Sequence, residues 1–562
     1  MEQKTKPALK IINIGGTTDV TGNITVYESG NDIIVVDCGI GFPDADMPGV
    51  DVVIPDFSYI LENRERVRAL LITHAHEDHF GAVPFLLKEL KLPVYGTKLV
   101  IEFVKGKLED RASKQLAEST SFHELSPDTP EVTIGNFKIS AYRVNHSVPA
   151  ATSFAIHTPQ GLILHMADYK IDWTPVLDKP IQLGRIAQYG DEGVLCLLSD
   201  CLGVTNKGYT ESESSLNETF DKLFSAAEGR QIVVTSISSG LSRFHQIISA
   251  AVKHGRKVVL SGRSIQQSIL IGRKLGYLKF PESAFVPDKQ ARKYAQKDLV
   301  HIMAGCYGQE GSALARASRG EHKYVDLEDH AMVIFSGEPN PPGTREPTEY
   351  LQDQLTLKGA EVIYGDIQDN LHVSGHGLRG DLTVVAAIAK PKYFMPIGGT
   401  VSKMRAYREM VVELGFDGKS VFEQMQGESV VFEGGHAKKG PRIEIKKVLM
   451  AGNSEDAISP LVVQDREVLS SDGVFVVVVP IDEKNKSFGV RAEVISRGFV
   501  YVKEAGGLVG GAKTLVNNLL AQNKNKVGEW GYVKALLEKE VSKYLRKETG
   551  RKPMVIVHGL KI

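Results

Sequence analysis

Three histidines and an aspartate lie within the six residues His-Ala-His-Glu-Asp-His that begin at His74. They directly follow the largely apolar run 67–72. Imidazole nitrogens bind Zn²⁺ and its neighbours in the first transition row, and a carboxylate suits a second ion with harder ligands. A solvated turn that is merely rich in histidine is the alternative. The H-x-H-x-D-H spacing is much more specific than a lone pair of histidines, so it predicts a site for one or two metal ions.

Three further polar residues stand where predicted strands end. Asp37 follows the apolar run 33–36, His146 follows the alternating segment 137–144, and Asp168 closes the segment that begins at Gly161. Loops at strand ends carry binding and catalytic residues because the strands hold them rigidly. Taken singly, Asp168 is also compatible with a plain turn and His146 with a buried core histidine. Their order along the chain favours one common site.

This order of segments resembles the metallo-β-lactamase superfamily. The resemblance implies a four-layer αβ/βα sandwich with the metal ions at one edge of its sheets. It implies these ligands: His74, His76 and His146 for one ion, Asp78 and His79 for the other, and Asp168 as the bridge. Asp37 is then expected to orient ligands through hydrogen bonds without touching a metal ion.

Length and alternation predict an α/β protein of several domains, one of them split. A chain of 562 residues is too long for one core. Strand runs alternate with helical segments such as 80–90, and the alternation begins afresh near Asn206, which predicts an inserted, doubly wound parallel sheet. The expected domains are 1–205 as the first part of the sandwich, 206–385 as the inserted domain, 386–448 as the return segment and linker, and 460–562 as a small α+β domain. The return segment contains the expected strand 392–397. The last domain is expected to contain strand 474–480, amphipathic helix 532–547 and strand 553–558.

Composition argues against a membrane-spanning or disulfide-stapled protein. No apolar stretch approaches the ~20 residues that span a bilayer, and residues 1–7 lack the apolar region of a signal peptide, so we expect a cytoplasmic protein. The cysteines form no C-x-x-C pair and predict reduced, mostly buried thiols; they are Cys38, Cys196, Cys201 and Cys306. The formal net charge is −1, so nucleic-acid binding would depend on a local basic surface.

Basic residues are concentrated near the end of the chain. Between 503 and 552 there are eleven Lys and Arg against five Glu, and the segment 438–447 holds five Lys and Arg against one Glu. Two interpretations remain open for this charge, a solvated helix face and a groove for a polyanion.

A second set of polar residues extends the resemblance. Asp200 ends another strand-like run, Arg263 follows the run 257–260, and the loop 370–377 contains His372, Ser374, Gly375 and His376. With the first site, these segments resemble the β-CASP branch of the superfamily, which acts on nucleic acids: Asp200 matches its motif A and His376 its motif B. The segments 305–316, 357–364 and 495–502 look like bacterial ribonuclease J, and the resemblance covers nearly the whole chain.

The resemblance implies a zinc-dependent 5′→3′ exoribonuclease that also has endonuclease activity. Its processes would be RNA decay and the maturation of rRNA and mRNA. It would assemble as a homodimer or homotetramer and work with RNA-decay partners. Two metal ions ~3.5–4 Å apart can activate water and neutralise a phosphate. His376, oriented by Asp200, is the candidate general acid for the leaving oxygen. A pocket for the 5′-monophosphate of single-stranded RNA is implied at His372, Ser374, Gly375, Arg263 and Ser239.

The chain departs from this family after the return strand. Ribonuclease J enzymes usually place a histidine there, in a Pro-x-His-Gly-Glu-like motif C, as a ligand of the second ion. Here Gly398 stands where the imidazole is expected and Thr400 where the acid is expected. We therefore expect one tight zinc site and a second site that loads weakly, with Zn²⁺ or Mn²⁺, unless another residue supplies the missing ligand.

Two other functions remain open at this point. A lactonase, thioesterase or glyoxalase-like hydrolase of a small ester would share the metal motif, but it would not need the inserted domain, His376 or the basic tail. The other is an RNA-binding subunit that keeps the fold but works poorly alone, as the partner of an active paralogue. Metal content and cleavage of 5′-phosphorylated RNA separate these alternatives.

Overall fold

The computed structural model describes residues 6–18, 20–44, 47–337, 343–451, 457–482, 487–488, 491–499 and 506–561. These ranges leave out residues 1–5, the last three residues of the segment 495–502, and the charged residues Lys503 and Glu504. The chain forms two compact units, 1–42 with 52–448 and 43–51 with 449–562. In the described part of the chain no helix is both long and apolar enough to cross a bilayer.

Within the described part of the first 200 residues there are twelve strands and six α-helices. The strands are β1 (Leu9–Gly15), β2 (Ile24–Ser29), β3 (Asp32–Val36), β4 (Val52–Ile54), β5 (Val67–Leu71), β6 (Val94–Gly96), β7 (Phe122–Glu124), β8 (Val132–Ile134), β9 (Phe137–Arg143), β10 (Thr152–Thr158), β11 (Gly161–His165) and β12 (Val194–Asp200). The helices are α1 (Ser58–Glu62), α2 (Glu77–Phe80), α3 (Val83–Glu89), α4 (Lys98–Arg111), α5 (Lys114–Ser119) and α6 (Leu183–Glu192).

The following residues, up to 363, alternate helices with parallel strands. The helices are α7 (Leu216–Ala226), α8 (Leu241–Lys253), α9 (Arg263–Lys274), α10 (Ala313–Ser318) and α11 (Arg345–Leu357). The strands are β13 (Ile232–Ser236), β14 (Lys257–Ser261), β15 (Phe285–Val286), β16 (Leu299–Met303), β17 (Met332–Ser336) and β18 (Glu361–Ile363). They pair in the order β15-β14-β16-β13-β17-β18, and every pairing is parallel. Helices α7 to α9 pack on one face and α10 and α11 on the other, as doubly wound sheets require.

The rest of the first unit contains α12 (Arg379–Ala389), β19 (Tyr393–Ile397), α13 (Val401–Glu413), β20 (Ser429–Glu433) and β21 (His436–Lys439), and β22 (Val448–Met450) follows them. β19 pairs in parallel with β12, so the chain returns to the sheet that it left after β12. An eight-stranded sheet has the order β21-β20-β1-β2-β3-β5-β6-β7, and a six-stranded sheet has the order β19-β12-β11-β10-β9-β8.

These two sheets face each other across a buried apolar core. Tyr27, Val36 and Leu71 of the larger sheet pack there with Phe154 and Leu198 of the smaller one. Helices α6, α12 and α13 cover the outer face of the smaller sheet. The four-layer sandwich places the carboxyl ends of β3, β5, β11, β12 and β19 at one edge. Within their sheets β3 is parallel to β5, and β11, β12 and β19 are parallel to one another.

The helix expected over 80–90 is present over 83–89 as α3, and Phe80 belongs to the separate short helix α2. Helix α2 ends at Phe80, and α3 begins at Val83 with a proline in its first turn. Gly81 separates them, and a side chain at this position would meet the Glu77 carbonyl and the Ile40 side chain within 3.0 Å.

The second unit has its own core. It contains α14 (Pro460–Asp472), β23 (Val474–Asp482), β24 (Ser487–Phe488), β25 (Glu493–Arg497), α15 (Gly506–Gln522), α16 (Trp530–Thr549) and β26 (Met554–Lys561). Every second residue of β23 is buried, and α16 buries Val533, Leu537, Val541 and Leu545, which lie on one helical face. Strand β26 pairs in parallel with β23.

Candidate metal centre and active site

The first cluster at the sheet edge consists of His74, His76 and His146. One ring nitrogen from each lies within 4.8 Å of the others. The Nε2 atom of His146 is 2.9 Å from Nδ1 of His76, and its Nδ1 donates to the Gly375 carbonyl at 2.6 Å. Nε2 of His74 is buried, and no described residue gives it a hydrogen-bond partner. An orphaned buried nitrogen beside two other imidazoles fits a bound metal ion.

The electrostatics of this cluster keep its rings neutral. Burial, together with the neighbouring histidines, places the pKa of His74 and His76 well below the ordinary histidine value. Burial and the nearby His376 lower the pKa of His146 to about 3. A metal ion binds the neutral imidazole, so this cluster is prepared for a metal ion rather than for protons.

The second cluster is built around His79. Its Nε2 atom is 3.1 Å from Asp168 Oδ2 and 3.6 Å from Asp78 Oδ2. Its Nδ1 atom donates to Asp37 Oδ2 at 2.8 Å, and Asp37 also accepts a hydrogen bond from the Thr73 backbone at 2.8 Å. Asp37 therefore orients His79 so that Nε2 faces the two carboxylates, as a residue next to a ligand is expected to do.

These carboxylates change the ionisation of the cluster. Burial opposes a charge on His79, but Asp168, Asp78 and Asp37 outweigh it and raise the pKa of His79. Burial also raises the pKa of Asp78 to about 6. The proton on His79 thus lies where a cation would be attracted, so binding of an ion here would displace it.

Sequence reasoning missed Asn23, which is 8% exposed. Its side-chain nitrogen lies 3.0 Å from His79 Nε2 and 3.2 Å from the Asp78 carbonyl. The only local signal is a polar residue between Gly22 and the first residue of β2. Such residues are common at strand starts, and the importance of this one depends on contacts more than fifty residues away along the chain.

His376 and Asp200 form a pair next to both clusters. Nδ1 of His376 lies 2.7 Å from Asp200 Oδ2, and its Nε2 lies 3.8 Å from Asp168 Oδ2. Burial opposes protonation, but Asp200 and Asp168 outweigh it and raise the pKa of His376 to about 9. A protonated imidazole therefore faces the Asp168 carboxylate near neutral pH.

The loop of motif B is held tightly against the first cluster. A Cβ on Gly375 would lie 2.6 Å from Cε1 of His146, so only glycine fits there. The Ser374 hydroxyl accepts a hydrogen bond from the His376 backbone at 3.1 Å. The structure thus brings Ser374, Gly375 and His376 to the site, with the half-buried His372 in the same loop.

The other two residues expected in the phosphate pocket are placed differently. Arg263 is exposed at the first residue of α9, and Ser239 lies just before α8 and is 9% exposed. Among the described residues, the hydrogen bonds and ion pairs of Ser374 and His376 involve neither of these two side chains. Their part in the pocket stays a prediction.

Motif C leaves an open position beside the carboxylates. A Cβ at Gly398 would lie 3.4 Å from Asp200 Oδ1 and 3.6 Å from Asp168 Oδ1, which is ordinary contact. The backbone is left-handed there, with φ at +68°. The Thr400 hydroxyl instead contacts Ser402 at 3.0 Å and is exposed. Neither residue supplies the ligand that motif C normally provides.

The basic residues of the second unit gather at the end of α16. Lys543, Arg546 and Lys547 line a shallow surface pocket together with Lys552. All four side chains are exposed. The structure thus concentrates part of the basic tail on one surface, while Lys503 lies outside the described residues.

Comparison with known proteins places this site in a family. Models of the metallo-β-lactamase superfamily, of the ribonuclease J β-CASP domain and of the ribonuclease J C-terminal domain match residues 17–225, 228–355 and 461–562. Ribonuclease J2 of Bacillus subtilis is 34% identical over 558 residues, which cover 99% of each chain. The chain belongs to the ribonuclease J family. Its fold class is the metallo-β-lactamase sandwich with a β-CASP domain and a C-terminal domain, as the sequence predicts.

Other relatives agree with this assignment. Ribonuclease J of Helicobacter pylori strain 26695 is 31% identical over 567 residues, covering 100% of this chain and 80% of the relative. A crystal structure of a protein of unknown function from Enterococcus faecalis V583 has a TM-score of 0.52 at 16% identity, covering 75% of this chain and 100% of that one, and supports the fold alone. The family and the site make this chain a hydrolytic, metal-dependent ribonuclease, and the small-ester hydrolase and the inactive RNA-binding subunit are not favoured.

Proposed function

We propose that the chain is a zinc-dependent 5′→3′ exoribonuclease that also cleaves RNA internally, in RNA decay and in rRNA and mRNA maturation. The observation that carries the proposal is the His376–Asp200 pair, which lies 3.8 Å from Asp168 beside six metal-binding side chains. The proposed ligands are His74, His76 and His146 for one ion, Asp78 and His79 for the other, and Asp168 between them. The Zn²⁺ ions, when bound, activate water and neutralise charge on the phosphate.

The protein's own residues then handle the leaving group and the substrate. His376 carries a proton on Nε2, which faces Asp168, and Asp200 holds its other nitrogen at 2.7 Å. Cleavage of the phosphodiester releases a 3′-oxygen that needs a proton, and we assign this donation to His376. Asp37 holds His79 and Asn23 lies against both His79 and Asp78, so these two residues keep the metal-binding groups oriented.

The exonuclease direction requires recognition of the 5′ end. We assign this to His372, Ser374, the Gly375 backbone, Arg263 and Ser239. A terminal monophosphate carries more charge than an internal phosphodiester, and guanidinium and hydroxyl donors suit it. The contact of the Gly375 carbonyl with His146 supports the assignment, because the pocket would then lie beside the proposed metal ligands. Ser374 is bonded to the His376 backbone in the same loop.

End-labelled RNA of one sequence tests this proposal. We expect RNA with a 5′-monophosphate to be degraded faster than RNA with a 5′-hydroxyl or 5′-triphosphate. The double variant Arg263→Ala/Ser374→Ala should lose that preference and keep internal cleavage. Arg292→Ala is a matched control, since Arg292 is an exposed arginine of the inserted domain that pairs with Asp326 at 2.9 Å. Equal rates on all three ends in the parent protein would leave endonuclease cleavage as the main activity.

The metal stoichiometry follows from Gly398. We propose that the first site holds Zn²⁺ tightly and that the second loads weakly or only with RNA, with Mn²⁺ as an alternative ion. Support comes from the absence of a motif C side chain at a position 3.4–3.6 Å from two carboxylates. Elemental analysis after dialysis should find about one equivalent of zinc per chain; two retained equivalents would refute the weak second site.

Several further points stay predictions. They are the domain bounds 1–205, 206–385, 386–448 and 460–562, a homodimer or homotetramer, partners in RNA decay, and a cytoplasmic location. Sedimentation of the purified protein tests the assembly state, and limited proteolysis tests the bounds, because linkers between domains are cleaved first.

A further inference from the structure

A buried ring of charges connects the segment 168–172 to the motif B loop, residues 371–377. Lys170 is fully buried, and its Nζ lies 3.3 Å from Glu213 Oε1. Glu213 pairs in turn with Arg243 of helix α8, whose Nη2 is 3.1 Å from Glu213 Oε2. The exposed fractions of these three side chains are 0%, 4% and 7%, so the pairs are shielded from water.

The charges in this ring balance. Asp172 is also fully buried and lies 3.6 Å from Lys170 Nζ, so two cations face two anions. Asp172 accepts hydrogen bonds from the backbones of Glu213 at 2.9 Å and Thr174 at 3.0 Å. Burial raises the pKa of Glu213, but Arg243 and Lys170 outweigh it, so this pKa is lowered overall and the carboxylate is ionised. Removing a single partner would leave a buried charge without compensation.

Arg243 reaches the motif B loop directly. Its Nη1 atom donates to the Leu371 carbonyl at 3.1 Å and also bonds the Ser336 hydroxyl. That hydroxyl donates to the same Leu371 carbonyl at 2.7 Å. Both lone pairs of the carbonyl are therefore engaged at the residue where the loop begins, five residues before His376.

The other side of the ring is formed by the backbone next to Asp168. The Tyr169 carbonyl accepts a hydrogen bond from the Gly377 backbone at 2.7 Å, immediately after His376. The Lys170 backbone donates to the Asn145 carbonyl at 2.8 Å, immediately before His146. The motif B loop is thus held at its start through Arg243 and at its end through Tyr169.

Such a network is not needed for stability alone. Buried ion pairs are often matched or exceeded in stability by apolar side chains of similar volume, whereas they hold their partners in one geometry. The geometry held here is the distance between the loop with His376 and the segment with Asp168. A displacement of about 1 Å in such a group can lower a rate by about 100-fold.

We propose that Arg243 and Glu213 are positioning residues that fix the motif B loop over Asp168 and so aim Nε2 of His376 at the leaving oxygen. The inference rests on the proposed role of His376 as general acid. It predicts that weakening the pair slows the proton-dependent departure of the 3′-oxygen more than any other part of catalysis.

Two RNA substrates that differ in one atom test this. One has an ordinary linkage at the cleavage position, and the other has sulfur in place of the bridging 3′-oxygen, which departs as a thiolate without a proton. Arg243→Lys keeps the positive charge, but the shorter ammonium group cannot bond to the Glu213 carboxylate and the Leu371 carbonyl at the same time. We expect it to cleave ordinary RNA about 10- to 100-fold more slowly, while cleavage of the sulfur-containing RNA falls by a much smaller factor.

A loss of folding would slow both substrates equally, so the ratio of the two rates separates positioning from structure. Arg256→Lys is the matched control: Arg256 is 7% exposed, and it donates to the carbonyls of Ala227 at 2.6 Å and Arg230 at 2.7 Å within the inserted domain. The control should leave the ratio unchanged. If Arg243→Lys does not fold, the double variant Glu213→Gln/Arg243→Met carries the test, because it leaves Lys170 paired with Asp172.

His376→Ala distinguishes failure of this inference from failure of the proposed function. If His376→Ala slows ordinary RNA selectively while Arg243→Lys slows both substrates equally or neither, the positioning role is overturned and the general acid stands. If His376→Ala slows both substrates equally, the general-acid assignment and the positioning role are both overturned. Selective slowing in both variants supports both.

Discussion

Replacing Asp200 by asparagine tests the proton-donor role of His376 with almost no change in shape. The substitution removes the carboxylate 2.7 Å from Nδ1 of His376 and keeps a side chain of the same size. Burial opposes the protonated form of His376, and Asp200 is the largest of the groups that raise its pKa from 6.5 to about 9. Without Asp200 the pKa should therefore fall back toward the ordinary histidine value.

The size of the effect follows from these two values. At about pH 7.5 a group with a pKa near 9 is almost fully protonated, whereas one with a pKa near 6.5 is only ~10% protonated. We therefore expect kcat of Asp200→Asn to be about tenfold below that of the parent at a pH about one unit above the variant's own pKa. In the parent protein kcat should fall as pH rises through the folded pKa of His376. In the variant this fall should occur about two pH units lower.

A pH–rate profile of single-turnover RNA cleavage measures this shift, with both proteins loaded with the same metal. The bound cation lowers the pKa of His376 in both proteins, so the comparison concerns the difference between the profiles. Asp56→Asn is a control for loss of a buried aspartate, since Asp56 is 6% exposed and bonds Ser58 and Lys446. Profiles that fall at the same pH in parent and Asp200→Asn would refute the role of Asp200 as the group that holds a proton on His376.

Three other perturbations test separate parts of the molecule. His76→Ala should lose retained zinc and RNA hydrolysis while the metal-free protein keeps its thermal unfolding temperature; normal turnover without metal would contradict a metal-dependent nuclease. Gly398→His should raise retained metal from about one to two equivalents if the left-handed backbone, at a cost of ~1–3 kcal/mol, accepts the side chain. Two equivalents in both the parent and the variant would indicate that another residue already supplies the ligand. The triple variant Lys543→Gln/Arg546→Gln/Lys547→Gln should flatten the log–log salt dependence of RNA binding by ~0.7 for each lost phosphate contact. An unchanged slope would leave these residues as a solvated face. A triple variant that replaces Lys114, Lys222 and Lys289 by glutamine is the control.

Much of the site could be predicted from residue types and their local spacing. The H-x-H-x-D-H run, the polar residues after β3, β9 and β11, and the last residue of β12 lie at strand ends, and apolar runs and alternation in the sequence are sufficient to locate those ends. The four cysteines are buried and unpaired, as their spacing predicts. The departure at Gly398 is also visible in the sequence, because it is a missing side chain and requires no knowledge of geometry.

Other features depend on contacts between distant parts of the chain, and only the tertiary structure decided them. The Gly375 carbonyl fixes which nitrogen of His146 is free, across 229 residues of sequence. Asn23 and the Arg243–Glu213 pair carry no local signature, since a polar residue at a strand start or a charged residue on a helix is usually solvated. Their roles arise from burial, and burial is set by how two facing sheets and an inserted domain pack together. Local periodicity determines where each strand ends, whereas packing determines which ends meet.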